Sequence, residues 1–582
     1  MAQIRKVVIA GGGTAGWIAA CALAHQFRDL LDITLIESEQ IGTVGVGEST
    51  VPPIRSFHRF LQIDEQEFLR AVAGTFKLSI SFENWRRPGE RYLHPFGLTG
   101  QSTLACAFHH FWLEAQRRGM LSELGDYCLE TVASRVDRFA LQQSPPVNYA
   151  YHLDAGLYAR LLRRHAERYG LKRVEGKIQQ VRQHAESGFV EALLLEDGTL
   201  VEGDLFIDCT GFRGLLIEQT LHTGYEDWKQ WLPCDRAVAV QTEAVAAPVP
   251  YTRAIAHAAG WRWHIPLQHR VGCGLVFSSA HLSDDEARAK LLHDAAAAPI
   301  KEPWLVPFRT GRRRKAWNKN VVALGLASGF IEPLESTSIH LTIAAVMRLI
   351  TLFPSEGIAP SMVDLYNAVS CAEMEHVRDF IILHYHANQR DEPMWQACRE
   401  MALPDSLQQR LRAWRERAHA WQGADELFRV DSWIHVLLGQ GIVPAQHPRW
   451  RARCRTSSCS SSSTRSASPS TARWRRCRRS RTSSRAIARP GRRSGRGGLL
   501  SRHPHEGQCD GSPPCRQEPC CSARCSRHAA WIWLTGIARS SPDRSKRTAS
   551  ATRMRAPTRR AGSRRAWHGY DRTTPLFEDC CA

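Results

Sequence analysis

The fold is decided by residues 4–16, IRKVVIAGGGTAG, which lead from an apolar run into a glycine-rich loop. The first part, Ile4–Ala10, is typical of a buried parallel strand, and residues 17–27 after the loop have the apolar composition of a helix. A second strand, Ile33–Ile36, ends at Glu37, 21 positions after the last glycine of the loop. Strand, glycine loop, helix and acid at this spacing predict a dinucleotide-binding α/β fold.

Each glycine of the G-x-G-x-x-G pattern has a physical role. Gly11 permits the tight turn, Gly13 lets a pyrophosphate approach the backbone, and Gly16 lets the helix pack on the sheet. Glu37 would accept hydrogen bonds from an adenosine ribose, which argues against a 2′-phosphate and therefore against NADP. A glycine turn that binds no ligand is the alternative. The phosphate-binding residues that the motif predicts are Gly11, Gly13, Thr14, Ala15 and Gly16.

The motif alone does not separate FAD from NAD. Residues 45–50, GVGEST, form a second glycine loop suited to a long cofactor, and residues 204–211, DLFIDCTG, return a late strand to the first nucleotide fold, as FAD oxygenases do. Both features favour FAD. A second strand–GxGxxG–helix unit does not occur in the sequence, so we expect reduced flavin to come from another protein. The predicted cofactor contacts also include Gly47, Glu48, Ser49, Leu326 and Ile339.

The net charge of +20 lies wholly in the C-terminal part of the chain. Residues 451–582 have a net charge of +23, whereas residues 1–450 have a net charge of −3. The near-neutral part argues against nucleic acid as a partner. Eight of the 18 cysteines lie in residues 1–450 without CxxC spacing, so we expect buried thiols, no metal site and a cytoplasmic location. We expect no signal peptide and no membrane span, because the longest apolar run, 341–353, is too short.

The sequence changes character near residue 450. Residues 450–582 are rich in Arg, Ser and Cys and have no helical or strand period, so we expect them to be disordered. Our hypothesis is that a frameshift near 445–450 replaced the natural C-terminus. An RS-like RNA-binding tail is the alternative, although ten cysteines are unusual in such a tail.

Three further segments resemble the signatures of the flavin-dependent halogenases, the tryptophan halogenase family. Residues 260–266, GWRWHIP, look like the W-x-W-x-I-P signature, residues 76–85, FKLSISFENW, resemble the segment of the catalytic lysine, and residues 329–338, GFIEPLESTS, are similar to E-P-L-E-S-T-G. The resemblance implies an enzyme that uses FADH2, O2 and chloride or bromide to halogenate an electron-rich, indole-type ring through hypohalous acid. It also implies a separate NAD(P)H-dependent flavin reductase and a small aromatic substrate as partners.

The resemblance assigns two catalytic residues. Lys77 would donate a hydrogen bond to hypohalous acid or be halogenated itself, and Glu335 would pair with it, orient the electrophile or take the ring proton. A helix is predicted over 338–353, so Thr337 and Ser338 would hold the halide at its N-terminus. An exposed structural lysine, an acid that favours the helix dipole and an ordinary N-cap are the alternatives.

The resemblance also predicts a substrate site and a wall beside the flavin. His94 and Phe96 would sandwich the substrate ring, with a structural histidine as the alternative for His94. Ser338 stands where tryptophan-specific members have Gly, and the C-terminal cluster that grips the amino acid's backbone is not recognisable. An indole, a phenol or a larger indole-containing product is therefore as plausible as free tryptophan. The residues expected to form the wall, for which a simple core role is the alternative, are Trp261, Trp263, Ile265 and Pro266.

The predicted architecture is an α/β flavin monooxygenase-type domain with an inserted sheet-rich substrate layer and a helical C-terminal part. The boundaries are 1–353 for the core, with insertions at about 60–150 and 225–310, then 354–449 for a helical subdomain and 450–582 for the tail. Helices are predicted at Ser361–His384 and Asp405–Ala424. An aromatic hydroxylase of the same fold is the rival function, although residues 324–328, LGLAS, lack its usual G-D pair. The sequence leaves open whether the protein is a monomer or a homodimer.

Overall fold

The computed structural model describes residues 3–41, 47–142 and 146–446. The strands, numbered in chain order, are β1 (Lys6–Ala10), β2 (Asp32–Glu37), β3 (Gly47–Ser49), β4 (Thr75–Lys77), β5 (Ser79–Glu83), β6 (Arg91–Pro95), β7 (Ala150–Asp154), β8 (Lys172–Glu175), β9 (Ile178–Gln183), β10 (Val190–Leu195), β11 (Leu200–Glu202), β12 (Leu205–Asp208), β13 (Tyr225–Asp227), β14 (Arg236–Glu243), β15 (Tyr251–His257), β16 (Gly260–Pro266), β17 (Arg270–Phe277), β18 (Trp304–Pro307), β19 (Gly311–Arg313), β20 (Trp317–Asn318), β21 (Val321–Ala323) and β22 (Gly329–Phe330). The α-helices are α1 (Thr14–Phe27), α2 (Ile54–Phe60), α3 (Glu65–Ala71), α4 (Phe108–Arg117), α5 (Leu129–Arg135), α6 (Ala155–Glu167), α7 (Asp284–His293), α8 (Ser338–Thr351), α9 (Pro360–His386), α10 (Pro393–Glu400), α11 (Asp405–Arg417) and α12 (Val430–Gly439).

A six-stranded sheet, in the order β20-β21-β12-β1-β2-β8, forms the nucleotide fold that the first motif predicts. All its pairs are parallel except β20–β21. Strand β12 comes from the late segment at 204–211 and lies directly beside β1, with Ala10 opposite Asp208. The α/β class predicted from the sequence is confirmed.

A seven-stranded sheet, in the order β18-β14-β17-β16-β15-β5-β6, forms the second layer. Strand β16 carries the GWRWHIP segment in its interior, paired with β15 and β17. A small sheet, β3-β7-β4, packs against β15, β16 and β17 of this layer, and its strand β4 ends at Lys77. This arrangement brings the glycine loop, the tryptophan signature and the lysine segment into one region.

The two largest hydrophobic cores of the described part support these layers. One includes residues of α1, α6 and α8, and the other includes residues of β15, β16 and the helices from α9 onward. None of the helices in the described part combines the length and the apolar character that a membrane span requires. The helical character predicted after residue 353 is present, but the domain boundaries themselves stay predictions.

Several predicted boundaries need correction. The helix predicted over Asp405–Ala424 ends at Arg417, because Ala418 takes a left-handed conformation with φ 55° that a helix cannot continue through. The helix predicted over 338–353 ends at Thr351, and the first strand begins at Lys6 rather than Ile4. The predictions for residues 450–582, and for Gly45 of the second glycine loop, lie outside the described residues.

Candidate active site

A cavity of about 730 Å³ runs from the glycine loop to the tryptophan signature. Its size is within the range of small-molecule and cofactor sites. Gly16 does not line the cavity. A Cβ at that position would lie 1.9 Å from the Gly11 carbonyl oxygen, so this glycine allows α1 to pack closely. The predicted cofactor residues that line the cavity are Gly11, Gly13, Thr14, Ala15, Glu37, Gly47, Glu48, Ser49, Leu326 and Ile339.

The glycine loop has the features that a bound pyrophosphate requires. Helix α1 begins at Thr14, and no side chain caps its N-terminus, so its first N–H groups point to the cavity mouth without a side-chain partner. A Cβ added at Gly13 would meet no atom within 4 Å, which leaves room for a phosphate against the backbone. The residues present therefore fit the diphosphate of a flavin dinucleotide.

Glu37 lines the cavity beside the glycine loop, and other side chains already bind its carboxylate. Arg173 Nε donates to its carboxylate at 2.5 Å, and Trp17 Nε1 donates at 3.2 Å. These two bonds hold the carboxylate in one orientation. Sequence reasoning missed Arg173, because it comes from β8, far along the chain, and no local spacing links it to Glu37.

The tryptophan signature forms the opposite end of the cavity. Trp261, Trp263 and Ile265 line it, whereas Pro266 does not. The Pro266 carbonyl accepts a hydrogen bond from Thr75 Oγ1 at 2.7 Å and so joins β16 to the lysine strand. Pro266 is therefore a structural neighbour of the wall rather than part of its surface.

Trp261 is held in place by a buried carboxylate. Its Nε1 donates to Glu332 at 2.6 Å, and the Tyr385 hydroxyl donates to the same oxygen at 2.6 Å. Burial raises the pKa of Glu332 to about 7, against the opposing effect of these two hydrogen bonds. The indole can therefore not rotate without leaving its own buried N–H without an acceptor and taking one of two donors from the Glu332 oxygen.

Lys77 lies just behind the cavity wall and is fully buried. Its Nζ donates to Ser336 Oγ at 2.9 Å and to the Thr50 carbonyl oxygen at 3.1 Å. Ser336 itself lines the cavity, so one side chain separates the amine from the cofactor space. The backbone of Ser336 is left-handed, with φ 61°, an uncommon conformation for a residue other than glycine.

Burial lowers the pKa of Lys77 to about 7, and the Glu335 carboxylate partly opposes this by raising it. The alternative interpretation, that Lys77 is an exposed structural lysine, is therefore wrong. An amine with this pKa is partly uncharged near neutral pH, which makes it a nucleophile as well as a hydrogen-bond donor.

Replacing Lys77 with Met is expected to flatten the pH dependence of stability. The unfolded amine keeps its proton up to about 10.5, whereas the folded amine loses it near 7, so the unfolded state binds more protons between these values. Lys77 therefore makes the wild-type free energy of unfolding rise with pH across this window, and this effect is lost as the pH falls to about 7. Methionine does not titrate and removes that contribution. Urea unfolding of both proteins near the two ends of this pH window measures the change in unfolding free energy with pH. An equal change in the two proteins would contradict the prediction.

Glu335 is also fully buried, and its partners are two histidines rather than Lys77. His94 Nδ1 lies 2.8 Å from Oε2, and His384 Nε2 lies 2.9 Å from Oε1. Burial raises the pKa of Glu335, but the charge interaction with His94 and the hydrogen bonds from both histidines outweigh this and lower it. The sequence predicts that Glu335 pairs directly with Lys77. In the structure Glu335 is bonded to the two histidines and acts on Lys77 through its charge.

Thr337 and Ser338 mark the start of α8, a helix of 14 residues. No side chain caps this helix, so the predicted alternative of an ordinary N-cap is wrong. Thr337 is fully buried and its Oγ1 has no hydrogen-bond partner among the described residues, while Ser338 lines the cavity. A buried hydroxyl without a partner at a helix N-terminus suits a small anion.

Phe96 lies near both the lysine and the histidine. Its ring centroid is 5.0 Å from Lys77 Nζ and 6.4 Å from the centroid of His94. Phe428 and Phe380 stack on each other with centroids 3.8 Å apart, and both approach His94. The region around His94 is therefore a buried cluster of aromatic side chains.

Sequence reasoning missed His384 and Tyr92, whose hydroxyl lies 2.9 Å from His384 Nδ1. His384 lies inside the 27-residue helix α9, and its position in the sequence is like that of the core residues of this helix. Its role depends on a partner 49 positions away, which no local spacing indicates.

Residues 6–456 match the family model described as tryptophan halogenase. The tryptophan 7-halogenase RebH of Lentzea aerocolonigenes is 35% identical over 487 residues, which are 77% of this chain and 92% of that protein. The tryptophan 6-halogenase SttH of Streptomyces toxytricini is 35% identical over 475 residues, 75% of this chain and 90% of that protein.

Solved structures agree with this match. Xcc4156, a flavin-dependent halogenase from Xanthomonas campestris, has 49% identity and a TM-score of 0.80, covering 82% of this chain and 96% of its own. BrvH, a flavin-dependent halogenase from Brevundimonas sp. BAL3, has 45% identity and a TM-score of 0.77, covering 80% of this chain and 96% of its own. With the nucleotide fold, the cavity and the buried lysine in place, the chain belongs to the tryptophan halogenase family of flavin-dependent, FADH2-using oxidoreductases.

Proposed function

We propose that this chain uses FADH2, O2 and chloride or bromide to halogenate an indole-type ring, through hypohalous acid that reaches Lys77 and Glu335. The observation that supports this best is the position of Ser336, which lines the cavity and accepts a hydrogen bond from the buried Lys77. An oxidant made in the cavity would have one side chain to pass before it meets an amine. Reduced FAD bound in the cavity would supply the electrons with which O2 converts halide into hypohalous acid.

The protein's own residues then confine and direct that oxidant. Trp261 and Trp263 close the cavity end with apolar surface, and burial keeps bulk water from Lys77. The Lys77 amine, partly protonated near neutral pH, donates a hydrogen bond to the oxygen of hypohalous acid or takes the halogen itself. The negative charge of Glu335 stabilises the positive charge that develops on the ring.

We propose the first turn of α8 as the halide site. The Thr337 hydroxyl has no partner, and the helix N-terminus supplies free N–H groups without a cationic side chain. The Ser338 hydroxyl lies where the tryptophan-specific members have no side chain. Both chloride and bromide fit this chemistry.

The proposed substrate class rests on the buried aromatic cluster around His94 and on the named relatives. His94 and Phe96 are proposed to hold the ring. Named relatives act on tryptophan at position 6 or 7, and MibH, a solved neighbour with 30% identity, is a lanthipeptide tryptophan 5-halogenase. We propose an indole-type substrate, with free tryptophan, a phenol and a larger indole-containing product as the alternatives to screen.

A separate NAD(P)H-dependent flavin reductase is the proposed partner. The sequence contains one dinucleotide motif, and the cofactor cavity uses it. A cytoplasmic location stays a prediction from cysteine usage, and assembly as a homodimer stays open.

The test is a coupled reaction of the full chain with FAD, NADH, a flavin reductase, bromide and indole, read by mass spectrometry. We expect bromoindole that depends on the reductase and on bromide. The rival activity, aromatic hydroxylation, predicts an oxygenated product without bromine in the same tube. That product in place of bromoindole would overturn the proposal. Parallel reactions with chloride and with phenols define the halide and substrate range.

A further inference from the structure

Two histidines share the Glu335 carboxylate, and their hydrogen-bond geometry fixes their protons. An ionised carboxylate only accepts hydrogen bonds, so His94 donates through Nδ1–H and His384 donates through Nε2–H. His384 Nδ1 then accepts from the Tyr92 hydroxyl at 2.9 Å. Burial raises the pKa of Tyr92 well above its usual range, so the hydroxyl keeps its proton and is the donor.

The two histidines differ in one respect. Both ring nitrogens of His384 have partners, whereas His94 Nε2 is buried and has none among the described residues. The imidazole of His94 is surrounded by the rings of Phe96, Phe380 and Phe428, at centroid distances of 6.4, 5.6 and 6.2 Å. A basic nitrogen lone pair thus lies among aromatic faces, and a buried polar atom without a partner calls for an explanation.

We infer that His94 Nε2, rather than Glu335, is the base that removes the proton from the halogenated ring, and that Glu335 holds His94 in the tautomer that leaves this nitrogen free. The inference rests on the proposed function and assigns one further step of it. His94 then acts as a catalytic residue and Glu335 as its positioning residue. The His384–Tyr92 pair keeps the other side of the carboxylate in place.

The hydrogen-bond arrangement supports this assignment. Two N–H groups already point at the Glu335 carboxylate, so an incoming proton would have to displace one of them, and the carboxylate is a poor proton acceptor there. An imidazole that donates through Nδ1–H to a carboxylate is held in the orientation and tautomer that let Nε2 take a proton. Lys77 Nζ donates to Ser336, which lines the cavity, so the amine is placed to act on the oxidant.

The step balances as follows. A π pair of the ring forms the new carbon–halogen bond, and the oxygen–halogen bond of hypohalous acid breaks with its electrons left on oxygen. That oxygen takes a proton from the Lys77 ammonium and leaves as water. The ring C–H bond then breaks, its electrons restore aromaticity, and its proton goes to His94 Nε2. Loss of this proton from His94 and gain of one by Lys77 after product release return both side chains to their starting states.

The test compares His94→Asn with the control His293→Asn, at an exposed histidine outside the site, in the bromination of indole. An asparagine amide N–H lies where the Nδ1–H of histidine lies, so His94→Asn keeps a donor to Glu335 and removes only the free nitrogen. Each protein receives an equal mixture of indole and perdeuterated indole, and the isotope ratio of the bromoindole is measured. A freely diffusing β-diketone, added in a separate reaction, traps hypobromous acid and reports whether the oxidant is still made.

We expect the wild type and His293→Asn to brominate both forms of indole equally, because ring deprotonation is fast. In His94→Asn we expect bromination to fall by about 10²- to 10⁴-fold, the usual contribution of a general base, with undiminished trapped oxidant and a clear preference for undeuterated indole. His94→Gln provides a second variant if His94→Asn does not fold.

Two results overturn the inference alone: a brominating His94 variant without isotope preference, or an isotope preference in Glu335→Gln that the His94 variants lack. A wild type that yields neither bromoindole nor trapped oxidant overturns the proposed function itself, and the inference with it. The trap separates these cases.

Discussion

Lys77→Ala is expected to abolish halogenation of indole, by more than about 10³-fold, while the protein still binds FAD and oxidises reduced flavin. The lysine strand β4 does not line the cofactor cavity, so its side chain can be removed without touching the flavin contacts. The measurements are bromoindole by mass spectrometry, FAD affinity by fluorescence and flavin oxidation by absorbance.

Lys229 provides the matched control, because its amine is exposed and pairs with Asp235 at the surface. Lys229→Ala should keep wild-type halogenation. Lys77→Met keeps most of the buried volume and should be as inactive as Lys77→Ala, which separates loss of the amine from loss of packing. Substantial bromoindole from either Lys77 variant would refute the role given to this residue.

Glu335→Ala is expected to cost about 3–5 kcal/mol of unfolding free energy, as well as nearly all halogenation. The carboxylate accepts from His94 and His384, and both lie in the interior with less than 3% of their surface exposed. Removing it leaves two buried N–H donors without an acceptor and opens a small cavity. Denaturant unfolding of purified variant and wild type gives the difference.

Glu335→Gln separates charge from shape in this network. The amide keeps one acceptor and the volume of the side chain, so we expect a smaller loss of stability than in Glu335→Ala. Halogenation should still fall strongly, because the negative charge that stabilises the ring cation is gone. A Glu335→Ala protein as stable as the wild type would show that the histidines find other acceptors, contrary to the geometry described.

The sequence predicted the cofactor half of this molecule well, because that half is encoded locally. The spacing from Gly11 to Glu37 requires one turn, one helix and one strand, and the structure has them in that order. The late strand at 205–208 was also predictable, since a continuous apolar run is typical of a strand buried on both faces in a parallel sheet.

The substrate half was predictable only in part. The resemblance named Lys77, Glu335 and His94, and the structure brings all three into one buried region. It could not supply the contacts among them, because a pairing such as His94 with Glu335 joins residues 241 positions apart. His384 was not predictable at all, since a histidine on a mostly buried helix is usually a core residue.

Strand β3 and Thr50 have a mechanical consequence. Gly47 and Ser49 line the cavity, and the next residue, Thr50, provides the carbonyl that accepts from the amine of Lys77. A ligand in the cavity that displaces this short strand would therefore move an acceptor of that amine. Changes engineered for tighter flavin retention along β3 should alter product yield per oxidised flavin in the same variants, so the two properties cannot be optimised independently there.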